Sequence, residues 1–209
     1  MPRWEPDAVG RLQAAALELF AEQGFERTTV VEIAQRAGLT KRSFFNHFAD
    51  KREVLFGPVA EAQREIVTRE IAACPAGLPP LEAVVLGLQA AADVMFEARR
   101  AEVARRRDII EANPELRERE LRKRAALTDG IAGALRARGV DSDTALLSAR
   151  AGVLVQQTAM QTWTRSVGDR PLRGFLADAL HSLRTIAAQT ADPGAVPVPA
   201  RADGIPDSP

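Results

Sequence analysis

The chain contains no tyrosine, one cysteine, two histidines and two tryptophans among its 209 residues. A lone Cys74 has no partner for an internal disulfide, which suits a reducing compartment. One thiol and two imidazoles, those of His47 and His181, leave few parts for a metal cage or a nucleophile triad. No His-Glu-x-x-His, no CxxC and no phosphate-cradling glycine loop is present. Carboxylates are plentiful, but no spacing singles out a pair. No cofactor or metal is therefore expected, and the chain is not expected to be an enzyme.

Charge of one sign is missing as well. Lys+Arg and Asp+Glu both number 28, so net charge does not announce a nucleic-acid partner. No run of about 18 uninterrupted apolar residues exists, so no membrane span and no membrane partner are expected. The opening MPRWEPDAVG lacks the apolar core of a signal peptide. These absences together imply a cytoplasmic protein.

What is present is helical periodicity, with no stretch patterned as a strand. Val9, Leu12, Ala16, Leu19 and Phe20 mark one face of a first helix that Gly24 ends. Thr29 and Glu32 form a capping-box pattern for a short helix from Val30 to Ala37. Ala37-Gly38 makes a turn, and Thr40 is placed to cap a third helix reaching His47. Asp50 with Glu53 repeats the capping pattern, predicting a fourth helix from Lys51 to about Ala73. Within it, Gly57-Pro58 predicts a kink or short break dividing Lys51–Phe56 from Val59–Ala73, because proline lacks the N–H the helix needs and crowds the preceding turn.

Beyond Cys74-Pro75 the helices lengthen. Leu81, Val84, Val85, Leu88, Ala92, Met95 and Phe96 form one stripe. Asn113-Pro114 reads as an N-cap with proline in the first helical position. Asp141 or Ser142 starts the next helix, and Pro171 the last. The segment from Asp192 carries five prolines and few apolar residues, predicting a disordered tail over 192–209. The fold class is all-α, about nine helices by this periodicity.

Thr28 to Lys51 carries the functional signal: two short capped helices joined by an Ala-Gly turn are the physical form of a helix-turn-helix, about 31–50 here. From Arg27 to Arg52 six basic residues face two acidic ones, 6 − 2 = +4, in an otherwise neutral chain. Such a local positive patch suits phosphate binding. Phe44 and Phe48 are expected to face inward, leaving a polar face on a helix short enough to enter a major groove.

The stretch LELFAEQGFERTTV, then IAQRAGLT, FFNHF and Lys51 with Leu55, resembles the DNA-binding domain of TetR-type transcriptional regulators. The resemblance implies a DNA-binding domain at 7–56 and a ligand-binding and dimerisation domain at 57–191. It implies a homodimeric repressor that a small-molecule effector releases from a palindromic double-stranded operator. The alternatives are a DNA-binding protein without effector control, and a helical small-molecule-binding protein. Carried over, the DNA contacts are Thr40, Lys41, Arg42, Ser43, Phe45, Asn46, His47 and Lys51, the last holding phosphate. The family often has tyrosine where Phe45 stands. Its absence removes one phosphate hydrogen bond, worth about 0.5–1.5 kcal/mol.

The same resemblance implies a pocket in the larger unit, for which Met95, Phe96, Gln156, Gln157, Met160 and Trp163 are the candidate liners. It also implies a four-helix interface between subunits built from the last two helices. Ala145 to Trp163 is apolar on nearly every face, and the last helix carries a stripe of Leu172, Phe175, Leu176, Ala179, Leu180, Leu183 and Ile186, so Val155 and Leu180 are expected to be buried there. Arg99, Arg100, Arg105, Arg106 and Arg107 are interleaved with acidic residues and are expected to form a solvated face. His181 is expected to be a packing or interface residue.

Overall fold

The computed structural model describes residues 7–190; the tail expected over 192–209 lies outside them. The described residues form nine α-helices and two 3-10 turns, without a strand. In chain order the helices are α1 (Ala8–Gln23), α2 (Val30–Arg36), α3 (Lys41–His47), α4 (Gly57–Ala73) and α5 (Pro80–Met95). They continue with α6 (Arg100–Ala112), α7 (Pro114–Ala137), α8 (Ser142–Arg165) and α9 (Leu172–Thr190). The 3-10 turns are Glu53–Leu55, before α4, and Glu97–Arg99, before α6.

Local chemistry accounts for the first three helices. Asp7 caps α1 by accepting from Gly10 N at 3.1 Å. At α2 the capping box closes both ways: Glu32 N donates to Thr29 Oγ1 at 3.2 Å, and Thr29 N donates to Glu32 Oε2 at 2.8 Å. Gly38, at φ 67°, takes the left-handed turn that ends α2. Leu39 N then donates back to Ala34 O at 2.8 Å. Thr40 Oγ1 accepts from Ser43 N at 3.0 Å and starts α3.

The fourth helix differs from expectation. Asp50 does act as a cap, accepting from Arg52 N at 2.7 Å and Glu53 N at 3.0 Å. The segment it caps is a turn and the short 3-10 helix, and α4 opens only at Gly57. Of the predicted kink or short break at Gly57, the structure has the break. Pro58 falls in the first turn of α4, where a missing N–H costs no hydrogen bond. Gly57 answers a packing constraint: a Cβ there would lie 3.0 Å from Cε1 of Phe48. A second difference concerns Asn113, whose side chain caps nothing in α7. Its Nδ2 donates backwards to Ile109 O at 2.6 Å, closing the end of α6.

Buried side chains gather in two clusters. One unites Leu12, Ala16, Phe20, Phe25, Ile33, Phe44, Phe48, Val54, Leu55 and Phe56. Ile109, Ile110 and Leu116, from the α6–α7 corner, plug into the same cluster. The other lies among α4, α5, α7, α8 and α9, where α4 packs on α5 and α7, α5 on α8 and α9, and α8 on α7 and α9. Val155 and Leu180 belong to this second core within a single chain. The expectation that they belong to the interface between subunits is therefore corrected, since one chain alone buries them. The large apolar residues that α8 and α9 leave exposed are Leu147 (70%), Leu154 (53%) and Ile186 (60%). His181 is exposed on α9. No helix among the described residues is long and apolar enough to cross a membrane.

Two glycines on helices of this second body test the closeness of packing. A Cβ on Gly152 of α8 would overlap Cγ1 of Val84 on α5, whereas one on Gly133 of α7 would have its nearest neighbour, Arg136 Nη2, at 3.9 Å. Gly152→Ala is expected to lower the unfolding free energy by about 1–3 kcal/mol through overpacking. Gly133→Ala is expected to raise it by about 0.5–1 kcal/mol, since alanine restricts the unfolded chain. Urea unfolding of both variants beside the parent reads the opposite signs; equal effects would contradict this packing.

Candidate functional site

Helix α3 stands on the apolar surface of the first cluster. Phe44 and Phe48, four residues apart, are buried at 0% and 2% exposure, and their ring centroids lie 5.4 Å apart. That anchoring turns the opposite side outward. Thr40, Lys41, Arg42, Phe45, Asn46 and His47 are exposed, with Ser43 half-buried. Lys41 Nζ lies 5.9 Å from the Phe45 ring centre, so the two present a cation and an aromatic face together. The turn behind α3 is held from α1, where Arg11 Nε donates to Ala37 O at 3.0 Å.

The positive patch is narrower than the sequence count implies. Arg36 pairs with Glu22 at 2.8 Å and Glu18 at 3.3 Å, and its hydrogen bond holds the Glu22 carboxyl below the usual carboxylate range. Arg52 pairs with Asp50 at 3.0 Å and Glu115 at 3.5 Å. Arg27 Nε donates to Gln23 O at 2.7 Å. Lys51 is set apart from the α3 residues. Its ammonium donates to Phe25 O (2.8 Å), Glu26 O (3.1 Å) and Thr28 O (3.3 Å), and lies 4.3 Å from the Phe25 ring centre. It therefore ties the α1–α2 connection to the segment after α3. Among the described residues, Lys41 and Arg42 are the cations of this stretch whose side chains make neither an ion pair nor a hydrogen bond.

A cavity of about 340 Å³ lies where the two clusters meet. Gln13 and Leu17 of α1, with Val54 and Leu55 of the 3-10 turn, wall one side. Val59 and Gln63 of α4 and residues of α5 to α8 wall the rest. Of the expected liners, Met95, Phe96, Gln156, Gln157 and Met160 are on it. Trp163 is not: it is 1% exposed inside the second core, with the Arg100 guanidinium 5.6 Å from its ring.

The arginine-rich stretch is likewise corrected, because Arg99, Arg106 and Arg107 line this cavity rather than forming only a solvated face. Arg106 Nε donates to Leu55 O at 2.7 Å, its Nη2 pairs with Glu120 at 3.0 Å, and its guanidinium lies 5.0 Å from the Phe56 ring centre. Interleaved charge suggested i,i+4 pairs along one helix. Pairs at helical spacing do form, Arg99 with Glu102 (i,i+3) and Arg107 with Glu111 (i,i+4), but Arg106 pairs with Glu120 on α7, which periodicity does not reveal.

Lys123, unremarked in sequence, is the most perturbed titratable group on the cavity wall. Burial and the nearby Arg106 charge push its ammonium down to about 8, only partly offset by Glu120. Burial alone would raise Glu120, but Arg106, Lys123 and Arg124 outweigh it and hold the carboxyl below its ordinary value. A lysine lowered on folding penalises the native state wherever the ammonium is charged, below about 8. That penalty fades as pH climbs toward the unfolded lysine value. Lys123→Met is accordingly expected to stabilise the protein at pH 7 by about 1–4 kcal/mol, with a smaller gain at pH 10. Urea unfolding at the two pH values checks this, and a gain that grew with pH would refute it.

Residues 12–56, the segment that carries α2, α3 and their anchoring core, match the family model for bacterial regulatory proteins of the tetR family. The HTH-type transcriptional regulator TcmR of Streptomyces glaucescens is 45% identical over 69 residues, which are 33% of this chain and 30% of TcmR. The chain thus spans about a third of the length of that curated relative. Among solved structures, the triclosan complex of SmeT of Stenotrophomonas maltophilia shares the fold at a TM-score of 0.53 and 20% identity. That likeness covers 92% of this chain and 98% of SmeT. FadR, a fatty acid degradation regulator from Bacillus halodurans, does so at 0.52 and 15%, covering 87% of this chain and 96% of FadR. Residues 12–56 thus form a helix-turn-helix unit of the kind found in bacterial regulatory proteins of the tetR family, with α3 held outward on its own apolar core and a larger helical body behind it.

Proposed function

We propose that the chain is a homodimeric repressor that binds a near-palindromic operator and releases it when a small molecule enters the cavity between the two clusters. The cavity's position carries this reading. Its walls include α1 and the 3-10 turn of the DNA-facing unit as well as α5 to α8 of the larger body. A ligand there would touch both at once, so its binding energy could differ between two arrangements of them, which is what effector control needs. That a SmeT structure holds triclosan supports the view that this fold admits small organic molecules. Fluorescence anisotropy with DNA from upstream of the gene, then a screen for compounds that release it, tests the reading. Failure to bind any such DNA would overturn it.

On the DNA, Lys41, Arg42, Asn46 and His47 would meet bases and phosphates, with Thr40, Ser43 and Phe45 at the helix start and flank. Lys51 would act by positioning, since its donors already hold the carbonyls of Phe25, Glu26 and Thr28. Arg42→Ala is expected to weaken operator binding by about 1–3 kcal/mol without moving the melting temperature. Lys51→Met is expected to lower both affinity and melting temperature. Anisotropy and thermal melts separate these outcomes, and an unchanged melt for Lys51→Met would return that residue to direct phosphate contact.

Two half-sites one helical turn apart call for two recognition helices in fixed relation, hence a dimer. The face for the second copy is the exposed side of α8 and α9, where Leu147, Ala151, Leu154 and Thr158 recur at helical spacing. Leu154→Glu is expected to give a folded monomer. Val155→Glu, buried within one chain at 2% exposure, is expected to unfold it. Light scattering with circular dichroism distinguishes the two, and a dimeric Leu154→Glu variant would relocate the interface.

A further inference from the structure

Hydrogen-bond donors and positive charge are in excess on one wall of the cavity. Gln63 is 3% exposed, and its Nε2 has no hydrogen-bond acceptor. The Arg107 Nε is also buried without one, 3.6 Å from a Glu111 carboxylate oxygen. The Lys123 ammonium makes no hydrogen bond or ion pair among the described residues. The carboxylate nearest to it in effect, Glu120, is already taken by Arg106 at 3.0 Å and Arg124 at 3.4 Å. Around that one anion stand three cations, Arg106, Lys123 and Arg124, leaving 3 − 1 = +2. Gln63 and Lys123 also border a neighbouring cavity of about 360 Å³, whose Arg64, Arg119 and Arg122 are each paired with a glutamate, Glu61, Glu53 and Glu118. Elsewhere the lining mixes an apolar strip of Met95, Phe96, Val103, Leu127 and Met160 with Gln156, Gln157, Thr164 and the arginine-paired carboxylates of Glu102 and Glu111.

Uncompensated charge and unmet donors away from water are costly, and an acceptor that carries negative charge relieves both. A neutral acceptor would satisfy Gln63 but leave the charge. An inorganic anion would answer the charge but leave the apolar strip against water. We propose that the cavity takes an amphipathic organic anion, its acid group against Lys123 and Gln63 and its apolar body along Met95, Phe96, Val103 and Met160. This rests on the reading of the cavity as the effector site, and it specifies the chemical class of the effector. The acid group also enters the competition for Arg106, whose Nε holds Leu55 O of the DNA-facing unit. Binding of the anion is thereby connected to the junction that α3 depends on.

The test uses two probes with the same ring, naphthalene-1-carboxylate and naphthalene-1-carboxamide, titrated calorimetrically into the full chain at pH 7. The acid is expected to bind at least about tenfold more tightly than the amide, as for a charge-assisted hydrogen bond in place of a neutral one. In Lys123→Met the acid is expected to fall to the affinity of the amide, with the amide unchanged; in Lys123→Arg the preference is expected to persist. The retained amide binding and a thermal melt show that the methionine variant is folded. Equal affinity of the two probes for the parent would overturn the anion inference and leave the cavity reading standing. A preference that survived Lys123→Met would overturn the acid's placement against Lys123. Absence of binding by both probes at millimolar concentration would overturn the inference and the cavity reading together.

Discussion

The guanidinium of Arg106 reaches three elements at once: the 3-10 turn through Leu55 O, α7 through Glu120, and the start of α4 through the ring of Phe56. Each contact alone is modest. Together they hold the corner of α6 and α7 where Ile109, Ile110 and Leu116 plug the DNA-facing core. Two further pairs, Arg52 with Glu115 and Arg119 with Glu53, join the same faces. The junction is therefore apolar at its centre and ionic around it. Apolar plugs resist sliding, because interiors packed this closely do not deform continuously. Ionic contacts can exchange partners, and several of the charged groups that exchange would involve lie on the cavity wall.

In the proposed reading, DNA recognition by α3 and ligand sensing in the cavity share one apolar core. Helix α3 owes its orientation to Phe44 and Phe48, which sit in the same cluster as Val54, Leu55 and Phe56. A shift of the 3-10 turn is thus a shift of the floor beneath α3. Lys51 and Arg11 brace the other side by holding the carbonyls of the loops before and after α2. With those cations committed to the protein's own backbone, and Arg36 and Arg52 paired, the outward charge of the motif is concentrated in Lys41 and Arg42. A neutral chain needs no large basic field if two cations are aimed.

Much of this was legible in the sequence where the determining forces are local. The capping box of Thr29 and Glu32, the turn at Gly38 and the cap at Thr40 each depend on residues within a few positions, and each forms as its residues require. The fourth helix misled because Asp50 and Glu53 satisfy the same local rule, while the break at Gly57 is set by the Phe48 ring arriving from another element. Val155 misled in a similar way: an all-round apolar helix indicates burial but not by which chain. The cavity was half legible. Its methionines, phenylalanine and glutamines lay on helices the resemblance marked, but Arg106 and Arg107 looked like solvated charges and Lys123 drew no notice. Only the fold shows that their helix faces turn toward α1 and α4.

In the proposed function, one cavity ligand and the operator compete through this junction. Coupling of this kind is reciprocal: whatever factor the ligand takes from DNA affinity, DNA must take from ligand affinity. The most direct measurement is the affinity of naphthalene-1-carboxylate for the free protein and for its operator complex, in one buffer at fixed salt. The account predicts binding to the complex weaker by about 5- to 150-fold, the usual range of such coupling. Equal affinity for the free and DNA-bound protein would contradict it.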